Sequence, residues 1–187
     1  TFNNALIYFK NLSTSINANK IIFNGGIYEF LGNEVDGAPV IHAAKQILVT
    51  NNSEKCILYN NTGYGDLRQG CLTHLLFSDN NISGPLINVN GPFDTSNTCP
   101  NNNLEASGCW NTYKFYKNKT QHGTIQLNDG PFYMAGGIWD FGDNEDSGRA
   151  NTTAIFNGGR YPKSPVIYIK YSEIHFDLSL YIFDCDA

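Results

Sequence analysis

The sequence predicts an all-β solenoid with about three short strands per coil. Two observations carry this reading: a phrase that recurs along the chain, and a fixed order of strands and turns after each copy. The clearest copy is Phe77 to Ile87, with Asn80 three residues after the aromatic, Gly84 seven after it, and the apolar pair Leu86 and Ile87. Phe30, Asn33, Gly37 and Val40-Ile41 repeat it, as do Phe141, Asn144 and Gly148. Phe115, Asn118, Gly123 and Ile125 repeat it with the glycine one residue late, and Leu58, Asn61 and Gly65 repeat it with Leu for Phe. Looser copies open at Phe9, Phe156 and Phe183.

The segments after each copy supply the remaining strands. Val40–Ala43 is strand-like, Lys45-Gln46 interrupts it, and Ile47–Thr50 resumes it. Leu86–Val89 and Phe93–Thr95 repeat that order around Asn90-Gly91-Pro92, and Thr124–Leu127 and Phe132–Met134 repeat it around Asn128–Pro131. Val166–Ile169 and Ile174–Phe176 give a last pair, with a turn expected at Ser172-Glu173. Alternating β-branched and aromatic residues suit a narrow interior filled from the pleat of each strand. Asn bonds neighbouring backbone in turns and tolerates positive φ, while Gly supplies conformations that other residues reach at a cost. A β-sandwich is the competing fold, since its strands alternate in the same way.

In chain order, residues 1–20 form an incomplete coil around ALIYF, and 20–30 give two strands about Asn24-Gly25-Gly26. Residues 30–62, 74–95, 112–141 and 152–187 make further coils of a single domain, 1–187. Loop insertions are expected near 63–73, 96–111 and 142–151. No window carries apolar residues at helical spacing, so a helical turn near Leu67–Leu72 is the most helix expected. The pattern shows no polar capping segment at either end, and it starts at Thr1 rather than Met, as a processed protein or a piece of a longer one would. Unpaired strand edges invite another chain, so copies are expected to stack head to tail, or the chain to be a slice of a longer solenoid.

The F-x-x-N phrase followed by Gly and an aliphatic residue resembles the repeats of chlamydial polymorphic outer-membrane proteins and similar eukaryotic surface proteins. FYMAGGIWDFGDN (132–144) and YSEIHFDLSLYIFDCD (171–186) resemble coils of the pectate-lyase-like right-handed β-helix superfamily. The Gly-Gly-aliphatic element of such repeats occurs as Gly25-Gly26-Ile27 and Gly136-Gly137-Ile138, displaced from its usual place. The resemblance implies a right-handed parallel β-helix.

Only 16% of the 187 residues are charged, against roughly 25% in typical domains. The net charge of −5 and the lack of any Lys/Arg cluster leave no nucleic-acid footprint. No apolar run reaches transmembrane length. Sequons stand at Asn11, Asn51, Asn60, Asn81, Asn118 and Asn151, all but Asn51 in the turn after an opening strand, which predicts N-linked glycans and a secretory route to the cell exterior. Cys99 and Cys109 bracket a polar insertion and are expected to pair, as are Cys56 and Cys71. Cys185 is the odd thiol, a candidate for an intermolecular bond, and no Cys-x-x-Cys spacing suggests zinc.

Asp140, Asp143, Glu145 and Asp146 gather around Trp139 within one loop. Polysaccharide hydrolases need an acid and a base carboxylate flanking the scissile bond, and four carboxylates in a single loop read better as a solvated turn. With Asn144 they offer oxygen ligands for calcium, without EF-hand spacing. His42, His74, His122 and His175 are scattered, Arg149 and Arg160 align with nothing, and Ser147-Gly148-Arg149 has no nucleophile-elbow context. No catalytic or metal residue is assigned. Trp110, Tyr113, Tyr116, Trp139 and Tyr161 are candidates to stack on sugars if exposed. The expected function is that of a secreted, glycosylated structural or adhesive surface protein that self-assembles or joins an extracellular fibre. A β-helix carbohydrate hydrolase or lyase, and a viral receptor-binding glycoprotein domain, are the alternatives.

Overall fold

In the computed structural model, the described residues are 1–50, 58–60, 67–69, 72–96, 111–121, 124–127, 132–142, 144–146, 154–158, 167–177 and 181–185. These are all-β. One curled parallel sheet of twelve strands dominates them. Its strands are β1 (Phe2–Lys10), β2 (Ile16–Leu31), β3 (Ile41–Thr50), β6 (Thr73–Ser78), β7 (Ile87–Val89), β8 (Phe93–Ser96), β9 (Thr112–Tyr116), β11 (Ile125–Leu127), β12 (Phe132–Gly142), β14 (Ala154–Gly158), β15 (Ile167–Asp177) and β16 (Tyr181–Cys185). Apart from it, β10 (Lys119–Thr120) pairs in parallel with β13 (Glu145–Asp146), and β4 (Leu58–Asn60) pairs antiparallel with β5 (Leu67–Gln69).

The register sorts the sheet into three columns. The first aligns Phe9, Phe30, Phe77, Phe115, Phe141 and Phe176. The second aligns Ile16, Ile41, Ile87, Ile125, Phe156 and Phe183. The third aligns Ile21, Ile47, Phe93, Phe132 and Ile167. The chain passes from the second column to the third and then the first, and repeats that circuit.

Parallel neighbours in register bring like residues to the strand spacing of about 4.8 Å, which is near ring-stacking distance. The phenylalanines use this directly. Phe9 stacks on Phe30 at 4.5 Å, Phe30 on Phe77 at 4.5 Å, Phe77 on Phe115 at 5.2 Å and Phe115 on Phe141 at 5.0 Å, all within 10° of parallel. Beside this stack lie Tyr28, Leu75, Tyr113 and Trp139, each buried, with Tyr113 and Trp139 only 3.7 Å apart. Burying one such ring contributes about 1.5–3 kcal/mol, so the stabilisation is spread along the stack rather than held in one centre.

Between the third and first columns the chain turns a corner. In β2 the corner is Gly25 (φ +67°) and Gly26 (φ +110°), and in β1 it is Asn4 (φ +41°). A Cβ on Gly26 would lie 2.4 Å from the Ala5 carbonyl oxygen, so the close approach of β1 requires glycine. The displaced Gly-Gly-aliphatic elements prove equivalent here, because Ile27 and Ile138 share one register position through His74 and Thr112. At this same corner β3 ends at Thr50 and β8 at Ser96, and the strands that continue the first column begin at Thr73 and Thr112. Most of the expected insertions near 63–73 and 96–111 lies outside the described residues.

Several expectations need correction. Leu58 opens no copy of the repeat: it pairs antiparallel with Gln69, outside the parallel sheet. Near Leu67–Leu72, where a helical turn is the most helix expected, Leu67–Gln69 forms the strand β5. Phe156 and Phe183 are large apolar residues in the isoleucine column, not members of the phenylalanine column. The turn expected at Ser172-Glu173 lies inside continuous β15, which pairs with β12 along both the third and first columns. Phe176, not Phe183, extends the phenylalanine column.

Candidate functional site

The motif asparagines meet in space. Asn33, Asn80, Asn118 and Asn144 follow their phenylalanines by three residues and are buried, none more than 5% exposed. Asn80 shows the pattern. Its Nδ2 donates to the Phe30 carbonyl (3.0 Å) and to Asn118 Oδ1 (2.7 Å), and its Oδ1 accepts from the Asn33 backbone N–H (3.0 Å) and Asn33 Nδ2 (2.8 Å). All four bonds of the amide are made, which is what a buried carboxamide needs. Asn118 likewise donates to the Phe77 carbonyl and to Asn144 Oδ1, and Asn144 donates to the Phe115 carbonyl. The ladder stops at Leu12, whose backbone N–H donates to Asn33 Oδ1 at 2.9 Å but which has no amide to add.

The residue before Asn33, Asn80 and Asn118 is left-handed. Gly32, Asp79 and Lys117 have φ of +60°, +54° and +54°, and Asn11 holds the equivalent place before Leu12 at +54°. This turn throws the following side chain inward. Glycine and asparagine suit it, while lysine is strained by it.

The sequons divide accordingly. Asn11 and Asn81 are exposed. Asn118 is fully buried in the ladder, and its Nδ2, the atom a glycan would join, donates two hydrogen bonds. A glycan at Asn118 would displace both of these bonds. Asn60 lies on β4. Asn51 and Asn151 lie outside the described residues, as do Cys56, Cys71, Cys99 and Cys109. Cys185 sits on β16 at the register position of Ala43 and Val89, which are both buried.

The acidic residues fall on different elements. Asp140 lies on β12, Glu145 and Asp146 pair with Lys119 and Thr120, and Asp143 is outside the described residues. Asn144 turns its Oδ1 into the ladder, where it accepts two bonds from Asn118, so it is not offered to a cation. Among the described residues no three His, Cys, Asp or Glu side chains cluster. His74 is buried with Nδ1 against the Thr112 hydroxyl, His42 is half-buried on β3, His175 is on β15, and His122, Arg149 and Arg160 lie outside the described residues. Tyr113 and Trp139 are interior and face no sugar; Tyr116 is half-buried, with Lys114 and Lys117 over its ring; Trp110 and Tyr161 lie outside the described residues.

Burial sets the titration of two groups. Desolvation pushes the Tyr113 hydroxyl well above the ordinary tyrosine value of 10.0, with Asn111 and Thr95 pulling weakly back and the Asp94 charge adding to the rise. Asp94 on β8 is itself raised by desolvation.

The remaining notable surface is β1, a terminal strand in the sheet order. Among the described residues the exposed large apolar side chains are Leu6 (38%) and Tyr8 (48%), both on β1, and Phe2, Ile7 and Phe9 are only partly covered. At the other end β15 and β16 are terminal. No helix of the described residues is long and apolar enough to cross a membrane. Comparison of the chain with family models, with curated proteins and with solved structures found no match.

Proposed function

We propose that the chain is a right-handed parallel β-helix acting as a secreted structural or adhesive element, built to stack into an extracellular fibre. The observation that carries this reading is the like-on-like register: phenylalanine on phenylalanine and asparagine on asparagine across successive circuits. Such columns give a quasi-one-dimensional body in which each layer is stabilised mainly by its neighbours. A body of that kind extends by adding layers, and the chemistry it spends its buried polar groups on is structural. Glycans at Asn11 and Asn81, on exposed turns, are compatible with it and with export.

Negative-stain imaging of the purified chain across a concentration series tests the proposal. Fibres of constant width are expected. Compact particles of uniform size at every concentration overturn the fibre role.

A further inference from the structure

Two steps of the chain place an Asn or Asp directly before a glycine and share one arrangement: Asn24-Gly25 at the corner of β2, and Asp36-Gly37 in the turn after β2. Such steps are chemically weak, because glycine puts no side chain in the way of its own nitrogen. That nitrogen can attack Cγ of the preceding residue and close a cyclic imide. At asparagine the new N–Cγ bond replaces the Cγ–Nδ2 bond, and ammonia leaves with the backbone amide proton. At aspartate a Cγ–O bond breaks instead, and water leaves. Water then opens the ring at either carbonyl and gives aspartate or isoaspartate, the latter with an extra carbon in the main chain.

The fold restrains both reacting groups at both steps. The Gly25 N–H donates to Thr73 Oγ1 at 2.8 Å, and the Gly37 N–H donates to Ser83 Oγ at 2.5 Å. Asn24 Oδ1 accepts from Thr50 Oγ1 at 2.8 Å, and Asp36 Oδ1 accepts from the same Ser83 hydroxyl at 2.6 Å. Thr73 is fixed in turn, its hydroxyl donating to the Thr50 carbonyl and its N–H to Asn111 Oδ1. Gly25 and Gly37 share one backbone conformation, with φ of +67° and +66°. Both lie on the circuit of β2, and both hydroxyl acceptors, 48 and 46 residues further on, lie on the circuit of β6.

We propose that Asn24-Gly25 and Asp36-Gly37 are sites of spontaneous isoaspartate formation, and that the Thr73 and Ser83 hydroxyls of the next layer hold them closed. For the nitrogen to attack, its hydrogen bond must break and its lone pair must turn toward Cγ, so each clamp adds its own strength to the barrier. Asn24 is half-buried beside a buried Gly25, whereas Asp36 and Gly37 are exposed, so the second step opens more readily. An isoaspartate at Asn24 would lengthen the main chain where β1 and β6 flank the corner. Covalent ageing therefore follows the loss of contact between layers and then makes that loss permanent. The proposal does not depend on the fibre reading.

The full-length chain, folded and in guanidinium chloride, is incubated at neutral pH and mapped by peptide mass spectrometry with fragmentation that distinguishes isoaspartate. Folded wild type is expected to convert Asn24 and Asp36 about ten-fold more slowly than the unfolded chain. Ser83→Ala is expected to speed conversion at Asp36 several-fold and leave Asn24 unchanged, and Thr73→Val to do the reverse, with circular dichroism reporting the fold of each. Equal rates in folded and unfolded wild type overturn the proposal. So does an unchanged rate at the matching step in either folded variant. Should Thr73→Val fail to fold, the exposed Ser83→Ala decides alone.

Discussion

The side-chain Nδ2 of Asn118 donates to Oδ1 of Asn144 at 2.8 Å, although the two residues lie 26 apart in the chain. Removing one member of such a run strands the groups on either side. Asn80→Ala would orphan the Phe30 carbonyl and the Asn33 amide inside the protein. The expected loss is about 2–4 kcal/mol, larger than a typical surface change. Urea unfolding followed by tryptophan fluorescence measures it, and a loss below about 0.5 kcal/mol would mean the ladder carries no net stabilisation.

The same bond fixes what can happen at the Asn118 sequon. In a glycosylating host, the folded, secreted fraction is expected to carry glycans at Asn11 and Asn81 and none at Asn118. Intact-glycopeptide mass spectrometry of that fraction decides it. Full occupancy at Asn118 in a cooperatively folding product would contradict the buried amide.

Backbone geometry separates three positions that look alike on paper. Gly91 has the Lys45 carbonyl oxygen 1.8 Å from where a Cβ would lie, so Gly91→Ala must displace main chain and is expected to cost several kcal/mol or prevent folding. Gly32 has open space around it, and with φ at +60° its alanine variant is expected to lose only about 1 kcal/mol. Lys117 already bears that strain at +54°, so Lys117→Gly is expected to stabilise the chain by a few tenths to about 1 kcal/mol. Thermal melts of the three variants should rank Lys117→Gly above wild type, then Gly32→Ala, then Gly91→Ala.

Tyr113 predicts an alkaline limit. Its hydroxyl is raised in the folded state by burial, so the neutral form is favoured there. The unfolded chain ionises near the ordinary value of 10.0, releasing a proton that the folded chain keeps. The stability this contributes is complete below pH 10 and falls as pH rises above it. Tyr113→Phe, which keeps a ring against Trp139, should flatten the decline between pH 10 and 11.5 in denaturant titrations. An unchanged slope would assign alkaline sensitivity to other groups.

Much of this architecture was legible in the residues, and the limits have physical causes. The F-x-x-N spacing marks Phe30, Phe77, Phe115 and Phe141 because a stacked ring and a buried amide each demand one residue type at one place, while Phe9, with Leu12 in the amide's place, matches only loosely. Phe176 escaped that reading because no asparagine follows it three residues on. Phe156 and Phe183 misled it because the register position that holds isoleucine in the earlier layers holds phenylalanine in these two. Leu58 misled it because a local antiparallel hairpin uses the same apolar and turn residues as a sheet layer. The burial of Asn118 was implicit in its match to the motif, yet the sequon signal is read from only three residues and carries nothing about depth. Tyr113 and Trp139 looked like candidates for sugar stacking because ring type does not reveal which face of the pleat it occupies.

The corner between the third and first columns has a consequence for engineering. One circuit crosses it on Gly25 and Gly26, the next departs after Thr50 and returns at Thr73, and the one after departs after Ser96 and returns at Thr112. The return points are fastened: Thr73 Oγ1 accepts from the Gly25 N–H at 2.8 Å, and the Thr73 N–H donates to Asn111 Oδ1 at 2.9 Å. Foreign peptides of differing size spliced in at that seam, with the threonine and asparagine anchors retained, would be displayed side by side along one flank. The chain would then serve as a ruler that presents cargo at intervals of one strand.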